Sequence, residues 1–285
     1  MVKSARLTFL IENSANKRDK GLVAKHGLSV LVEGEVNDAH VRVLMDSGPS
    51  AEALLNNVDV LGVNLRKIDA VLLSHGHYDH TDGLIGVLKN VNKFVPVIAH
   101  PKIFNPKFST TRRKLRFIGS AFTQSELRNY GGIPLLARNP VSIAKGITTT
   151  GEIERVTAYE KVNGFFTVER EHFIKDDIID DQALILNLEG KGLVVVTGCA
   201  HAGVVNTILH AQKMLKTEKV YAVLGGFHLV DASTRRIEAT IEDLKKLDIK
   251  FLGPCHCTGK KAMKTLKEVF GDKCRFLKTG DVIKF

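Results

Sequence analysis

The 285-residue sequence has 44% hydrophobic and 25% charged residues, the composition of a folded globular protein. Lys and Arg outnumber Asp and Glu by 41 to 31, so we expect a surface that attracts anions such as phosphorylated metabolites or nucleic acid. No apolar run is long enough to span a membrane, the N-terminal residues do not resemble a signal peptide, and the four Cys are too few for a disulfide framework. We therefore expect a cytoplasmic protein with reduced thiols.

Short apolar runs alternate along the chain with segments of helical period. The predicted strands, in chain order, are residues 28–33, 40–48, 68–74, 95–100, 182–188, 192–198, 220–226 and 249–254. The predicted helices, in which apolar residues recur every three or four positions, lie within residues 81–91, 204–216, 241–247 and 260–270. This order is typical of an α/β fold in which helices cover layered sheets.

Residues 101–181 differ from the rest of the chain. They are polar and basic, are interrupted by Pro and Gly, and show only weak periodicity. We interpret residues 1–285 as a single domain in which residues 101–181 form a central insertion, or lid, over the strand ends and the active site.

Five of the predicted strands end at residues that can bind a metal or hold a ligand: Asp46, His75, Cys199 with His201, His228 and His256. Because strand ends on one side of a sheet commonly form a site, we expect these side chains to meet there. Helices that start beside them would direct the positive ends of their dipoles into the same space, which favours an anionic ligand.

The turn SHGHYDHTDGL, residues 74–84, is the most informative stretch of the sequence. Imidazole and carboxylate suit divalent first-row ions, and two ligands separated by one residue can bind the same ion. His75 and His77 can therefore serve one metal, while Asp79 and His80 serve a second, and Gly76 permits the tight bend. A histidine-rich surface turn without an ion is the alternative, and the buried strand that precedes the turn disfavours it.

HGHYDH also fits the HxHxDH signature of the metallo-β-lactamase superfamily, and LMDSG at residues 44–48 resembles the upstream strand of that superfamily, which ends in Asp-Ser/Thr-Gly. The resemblance implies an αββα sandwich of two similar halves with the metals at one edge. It also implies two divalent metal ions as cofactors, zinc in the first place, with manganese, iron, nickel and magnesium as alternatives.

Further motifs resemble one branch of that superfamily, the 7,8-dihydropterin-6-methyl-4-(β-D-ribofuranosyl)-aminobenzene-5′-phosphate synthase-like proteins of methanopterin biosynthesis. They are HGLS (26–29), DSGPS (46–50), TGEIER (150–155), DDQAL (180–184), TGCAHAG (197–203), GGFHL (225–229) and PCHCTG (254–259). The resemblance implies a transferase that acts on a phosphorylated small molecule and releases diphosphate. The alternative is a hydrolase, a phosphodiesterase or nuclease, that uses a metal-bound hydroxide.

The resemblance also guides the search for the remaining ligands. His201 is expected to be a ligand, and His256 occupies the place of the superfamily's last histidine, a ligand of the second metal. Cys199 stands where relatives typically carry the Asp of Thr-Gly-Asp, so it is either a thiolate ligand or an inert buried Cys. Asp180 and Asp181 either supply the missing carboxylate or only form a turn.

Other residues are assigned to the surroundings of the metals. Asp79 and His228 are the candidate catalytic residues; His228 could instead be a metal ligand or a core histidine bonded to backbone. Asp46 is expected to orient a ligand histidine from outside the metal's first coordination sphere. Glu12 and Asn13 are expected to line the mouth of the site and to contact substrate.

Basic residues of the insertion, Arg112, Arg113, Lys114 and Arg155, are expected to neutralise the substrate phosphate. A solvated basic loop is the alternative for the cluster at residues 110–116. Nucleic acid is the weaker alternative partner, because the regular RNA-binding motifs are missing and only 6% of residues are aromatic. A metal-bearing sensor without catalysis is a third reading, which the intact ligand spacing disfavours.

Overall fold

Two β-sheets packed face to face form the centre of the computed structural model, which describes residues 1–110 and 114–285. The first sheet has seven strands in the order β17 (Val282–Lys284), β1 (Ser4–Ile11), β2 (Ser29–Val36), β3 (Ala39–Met45), β4 (Ala70–Leu72), β5 (Val95–Ala99) and β8 (Gly132–Leu136). The second has six strands in the order β16 (Phe251–Cys255), β15 (Val220–Gly226), β14 (Gly192–Thr197), β13 (Ala183–Leu188), β10 (Ile147–Thr149) and β9 (Ser142–Ala144).

Helices cover the outer faces of both sheets. The α-helices are α1 (Ala51–Val60), α2 (Tyr78–Thr81), α3 (Leu84–Val91), α4 (Gln124–Asn129), α5 (Val204–Leu215), α6 (Thr234–Lys245) and α7 (Lys260–Phe270). Helices α1, α3 and α4 pack on the first sheet, and α5, α6 and α7 pack on the second. The predicted αββα sandwich is confirmed. None of the described helices has both the length and the apolar character needed to cross a bilayer.

Both sheets are buried on two faces, which explains why their strands read as continuous apolar runs. In β14, Val194 and Val196 point into the core between the sheets, whereas Leu193 and Val195 point toward the helices. Successive side chains alternate between the two faces of a strand, so residues 193–196 are all apolar. The prediction of layered sheets depended on this feature.

The parallel strands place their carboxyl ends at one edge of the sandwich. β3, β4 and β5 run parallel in the first sheet, and β14, β15 and β16 run parallel in the second. The segments that follow β3, β4, β14, β15 and β16 carry the five candidate site positions that the sequence placed at strand ends. The two halves of the chain therefore contribute to one site.

Residues 101–181 divide between the two main sheets and a third, small sheet. Strand β8 extends the first sheet, and β9 and β10 extend the second. The separate sheet has the order β12 (His172–Lys175), β11 (Phe165–Glu169), β6 (Lys107–Ser109) and β7 (Arg116–Phe117). It lies against the histidine turn, since the N–H of Tyr78 donates to the carbonyl of Ile118 over 2.9 Å. The part of the segment that stands apart from the sandwich is thus smaller than expected.

Substitution of Asn57 tests how α1 is attached to the first sheet. Its buried side-chain amide donates to the carbonyls of Leu10 and Val23, and its oxygen accepts the N–H of Val23, each over 2.8 Å. Asn57→Ala leaves these buried groups without partners, so the free energy of unfolding should fall by about 1–3 kcal/mol in denaturant titration. Asn90→Ala, at an exposed position of α3, is the control and should change it by less than about 0.5 kcal/mol. An equal effect of the two substitutions would contradict this account.

Candidate metal centre

Buried hydrogen bonds connect the turn between β4 and α2 to Asp46 and to Asp180. The backbone N–H and the hydroxyl of Ser74 donate to the two carboxylate oxygens of Asp46, each over 2.7 Å. The N–H of Gly76 donates to Asp180 over 2.8 Å. A Cβ at Gly76 would lie 2.4 Å from the carbonyl oxygen of Ile103, so only Gly fits there.

The Asp180 carboxylate is fixed from its other side by Lys107. This lysine is only 2% exposed, and its Nζ lies 2.8 Å from Asp180 and 3.1 Å from Asp176. Burial opposes the charge of Lys107, but the two carboxylates outweigh it and raise its pKa. Asp181 is also buried and accepts the N–H of Ala202 over 2.9 Å. Both aspartates therefore support the turn and its neighbours, and neither belongs to a metal-binding group among the described residues.

One group of candidate ligands consists of His75, His77 and His201. The Nε2 of His75 lies 2.9 Å from the Nδ1 of His77, and the His201 ring centroid lies 4.7 Å from that of His75 and 4.9 Å from that of His77. The ligand atoms of His75, His201 and Cys199 lie within 4.8 Å of one another. Three histidines and a thiol converging in this way have the ligand types and spacing of a transition-metal site.

The buried nitrogens of this group show that an ion fits. Within residues 1–110 and 114–285, neither ring nitrogen of His201 nor the Nε2 of His77 has a hydrogen-bond partner. Burial first, and the neighbouring imidazoles next, lower the pKa of His75 and His201 well below the ordinary value; burial also lowers the pKa of His77, although Asp79 opposes the shift. The rings are neutral, and their lone pairs are available to a cation.

The second group consists of Asp79, His80 and His256. The Nε2 of His256 lies 3.2 Å from the Nε2 of His80 and 3.4 Å from Asp79 Oδ2. The other ring nitrogen of His80 lies 2.6 Å from Asp46. Burial favours neutral His80, but Asp46 and Asp79 outweigh it and raise its pKa to about 9. Burial likewise favours a neutral Asp79, and the surrounding histidines overcome it, so the pKa of Asp79 falls well below its usual range.

Cys199 lies between the two groups. Its sulfur is 3.1 Å from the Nε2 of His80, and it belongs to a metal-binding group with His75 and His201 and to another with His80 and His256. If each group held an ion, this sulfur would be within reach of both. Burial raises the pKa of the Cys199 thiol, so deprotonation at neutral pH requires a bound cation.

His26 was missed by the sequence reasoning and lies at the second group. Its Nε2 is 3.4 Å from Asp79, and its ring centroid is 4.9 Å from that of His256. Asp79, His26 and His256 together form a further group that could hold a metal ion. The signal was present in the motif HGLS, which the resemblance used without assigning its histidine a role.

Two residues near the N-terminus brace His256. The Oδ1 of Asn13 lies 2.9 Å from the Nδ1 of His256, and Asn13 also lines the pocket. Glu12 was expected to contact substrate, but it is buried and does not line the pocket. Its carboxylate instead accepts the N–H of His256 over 2.8 Å and the N–H of Ser14 over 2.7 Å.

A pocket of about 680 Å³ opens above the two groups. Phe165 of β11 stacks on His77 with a centroid distance of 5.4 Å and meets His201 edge-on at 5.2 Å, so the small sheet supplies an apolar wall. His228 lines the pocket, with its ring centroid 4.1 Å from that of His201, and its Nδ1 has no partner among the described residues. With Cys199 and Cys257, His228 also forms a group that could hold a metal ion, so its role as a ligand or a catalytic residue stays a prediction.

The basic residues that line the described pocket differ from those expected to bind the phosphate. Arg155 donates from its guanidinium to the carbonyls of Asp177 and Ile178 and does not line the pocket. Arg112 and Arg113 lie outside the described residues. The cations that line the pocket in the described part of the chain are Arg116, Lys161 and Arg236, apart from the histidines.

Comparisons with known proteins identify relatives of the chain. The family model of the β-lactamase superfamily domain matches residues 41–143. The chain is 39% identical to the 7,8-dihydropterin-6-methyl-4-(β-D-ribofuranosyl)-aminobenzene-5′-phosphate synthase of Methanocaldococcus jannaschii, over 92% of this chain and 90% of that protein. It is 32% identical to an uncharacterized protein of the same organism, over 92% of this chain and 94% of that protein. The crystal structure of a metal-dependent hydrolase of the β-lactamase superfamily superposes with a TM-score of 0.81 at 29% identity, covering 98% of both chains.

The chain belongs to the metallo-β-lactamase superfamily and, within it, to the branch of 7,8-dihydropterin-6-methyl-4-(β-D-ribofuranosyl)-aminobenzene-5′-phosphate synthase-like proteins. The resemblance based on HGHYDH is confirmed. Fold, site and relatives together identify an enzyme, either a transferase or a hydrolase.

The clustered histidines should make the metal-free protein sensitive to acid. The pKa values of His75, His77 and His201 are lowered in the fold, so the unfolded chain takes up protons that the folded chain excludes as pH falls below 6.5. His80 has the opposite sign, because its pKa is raised to about 9 and its contribution is lost only as pH rises toward that value. Asp181 also has this opposite sign, because burial raises its pKa to about 7. The three histidines with a lowered pKa outnumber these two groups, so we expect the free energy of unfolding to fall between pH 7.5 and 5.5.

Denaturant unfolding of chelator-treated protein should therefore give a lower free energy of unfolding at pH 5.5 than at pH 7.5, both chosen about one unit from the free histidine pKa. His201→Ala should reduce this difference, whereas His172→Ala, on the exposed surface of β12, should leave it unchanged. Stability that rises on acidification would show that the three imidazoles are already protonated in the fold.

Proposed function

We propose that the site holds two divalent ions, with zinc first among the candidates. His75, His77 and His201 would bind one ion, and Asp79, His80 and His256 the other, with the Cys199 thiolate shared between them. The main support is that His77 and His201 have buried ring nitrogens without a partner among the described residues. Imidazole and thiolate ligands favour zinc over magnesium; manganese, iron and nickel are the remaining alternatives.

The reaction that the site and the first relative favour is a transfer with release of diphosphate. The amine nitrogen of a ribofuranosylaminobenzene phosphate attacks the methylene carbon of a dihydropterin methyl diphosphate, the C–O bond to diphosphate breaks, and the amine loses a proton. Bound divalent ions would supply positive charge that stabilises the departing diphosphate. The cytoplasmic location expected from the sequence suits such a biosynthetic step and stays a prediction.

The side chains around the pocket have separate tasks in this proposal. Phe165 and Val162 line the pocket with apolar surface and limit the access of water to the reacting carbon. His228 lines the pocket and has an Nδ1 without a partner among the described residues, so we assign it the role of accepting the amine proton. Asp79, buried and anionic, would hold the second cation and balance part of its charge. Asn13 hydrogen-bonds the Nδ1 of His256, and the ring of His26 lies against the His256 ring.

Hydrolysis of a phosphoester or phosphodiester is the second candidate function. It is favoured by the solved structure named as a metal-dependent hydrolase, which is 29% identical with a TM-score of 0.81. The same ligands and the same pocket would serve both reactions, because only the nucleophile differs: an aromatic amine in one case and water in the other.

The two reactions are separated by their products. Zinc-loaded protein is supplied with both substrates, and coupled product and diphosphate are measured by mass spectrometry. The proposal predicts stoichiometric formation of both, and loss of both after chelation. His201→Ala and His256→Ala should reduce turnover on the order of 100-fold or more, because even residues outside the ligand sphere cost 10–100-fold.

His40→Ala, at an exposed position of β3 remote from the pocket residues, is the matched control and should retain full turnover. Pterin alcohol without coupled product, or cleavage of a phosphodiester such as bis-(p-nitrophenyl) phosphate or of RNA in place of coupling, would reject the transferase in favour of the hydrolase.

A further inference from the structure

Arg236 is a cation in the pocket wall that no motif pointed to. It lies in the first turn of α6, and its Nη1 donates to the carbonyl of Lys161 over 2.9 Å. Its Nε and Nη2 are buried, and neither has a hydrogen-bond partner among residues 1–110 and 114–285. These two nitrogens form one edge of the planar guanidinium, with two N–H groups parallel to each other. The side chain is thus anchored at one end and unpaired along one edge.

The nearby carboxylate of Glu160 does not pair with the Nε and Nη2 of Arg236. Glu160 is close enough to influence the charge of Arg236, but its oxygens accept the N–H groups of Val205 and Asn206 over 3.0 and 2.8 Å. Tyr159, which also influences the charge of Arg236, donates its hydroxyl to Asp243 over 2.6 Å. A buried guanidinium that lacks partners on one side is costly, because the group has lost water without replacement. Such a cost is typical of positions where a ligand completes the hydrogen bonds.

We propose that the Nε and Nη2 edge of Arg236 binds the phosphate of a phosphomonoester, the 5′-phosphate of a ribofuranosyl group, at a subsite separate from the metal ligands. The parallel donors of this edge match two oxygens of a phosphate in a bidentate contact, which a lysine cannot make. Lys161 and Arg116 line the same pocket and add positive charge, while Asp231 adds one exposed carboxylate. Together with Arg236, these residues carry a net positive charge.

This inference rests on the proposed function and names the part of the substrate that each region binds. The diphosphate of one substrate would lie at the histidine and thiol groups, and the phosphate of the other would lie at Arg236. The two reacting molecules would then enter one pocket with their anionic ends at different sites, so that the amine and the methylene carbon meet between them. Substrates without the second phosphate should bind weakly.

The test is the binding of ribose 5-phosphate to zinc-loaded full-length protein, measured by isothermal titration calorimetry. Arg236→Gln should weaken binding by about 10- to 100-fold, the effect of losing two charged hydrogen bonds. Arg236→Lys should recover only part of this loss, because lysine restores the positive charge but cannot offer two parallel N–H donors. Arg235→Gln removes the same charge from the exposed neighbouring position, which does not line the pocket, and should stay within about twofold. Zinc content and melting temperature are measured for each variant.

Equal affinities of wild-type protein and Arg236→Gln would overturn the subsite, and so would full recovery by Arg236→Lys. The outcome is independent of the coupling assay. Weakened binding of ribose 5-phosphate without coupled product would retain the subsite and reject the transferase. Coupled product with an unchanged KM for the aryl phosphate in Arg236→Gln would retain the transferase and reject the subsite.

Discussion

The whole site depends on the meeting of uncharged imidazoles from distant parts of the chain at one edge of the sandwich. His75 and His77 follow β4 in the first sheet, and His201 follows β14 in the second, yet their ring centroids lie 4.4 to 4.9 Å apart. Such a cluster is unfavourable without a cation, because its buried nitrogens lack partners and because burial, and then mutual repulsion, oppose its protonation. A divalent ion resolves both problems, since each lone pair then becomes a metal ligand.

The remaining polar groups of the site are arranged to keep this cluster in place. Asp46 bonds Ser74 and His80 at once, so a single buried carboxylate fixes the start and the end of the turn. Asn13 and Glu12 do the same for His256 from the opposite end of the sequence. Hydrogen bonds of this kind fix the orientation of an imidazole, as the partners of ligand histidines do in known metal sites. Such rigid support would hold a bound ion at a defined position.

The sequence reveals local chemistry well and long-range contacts poorly. Eight strands of the two main sheets, four helices and the histidine turn were readable because each depends on spacing within a short stretch, whereas strands such as β1 and β10 were not predicted. Helix α1 was missed, since the polar Asn57 occupies its buried face and breaks the apolar period. Strand β8 was read as irregular because of Pro134, which an edge strand tolerates. Glu12 was misassigned because its partner His256 lies 244 positions away. His26 lies in a loop, where periodicity gives no guide.

The most direct test of the account is anomalous X-ray diffraction at the zinc edge from crystals grown without chelators. The account predicts two peaks about 3.5–4 Å apart. One should lie among His75, His77 and His201 and the other among Asp79, His80 and His256, each with the sulfur of Cys199 at about 2.3 Å. Crystals of zinc-supplied protein without a peak at His201, or with the Cys199 sulfur turned away from both ions, would contradict it.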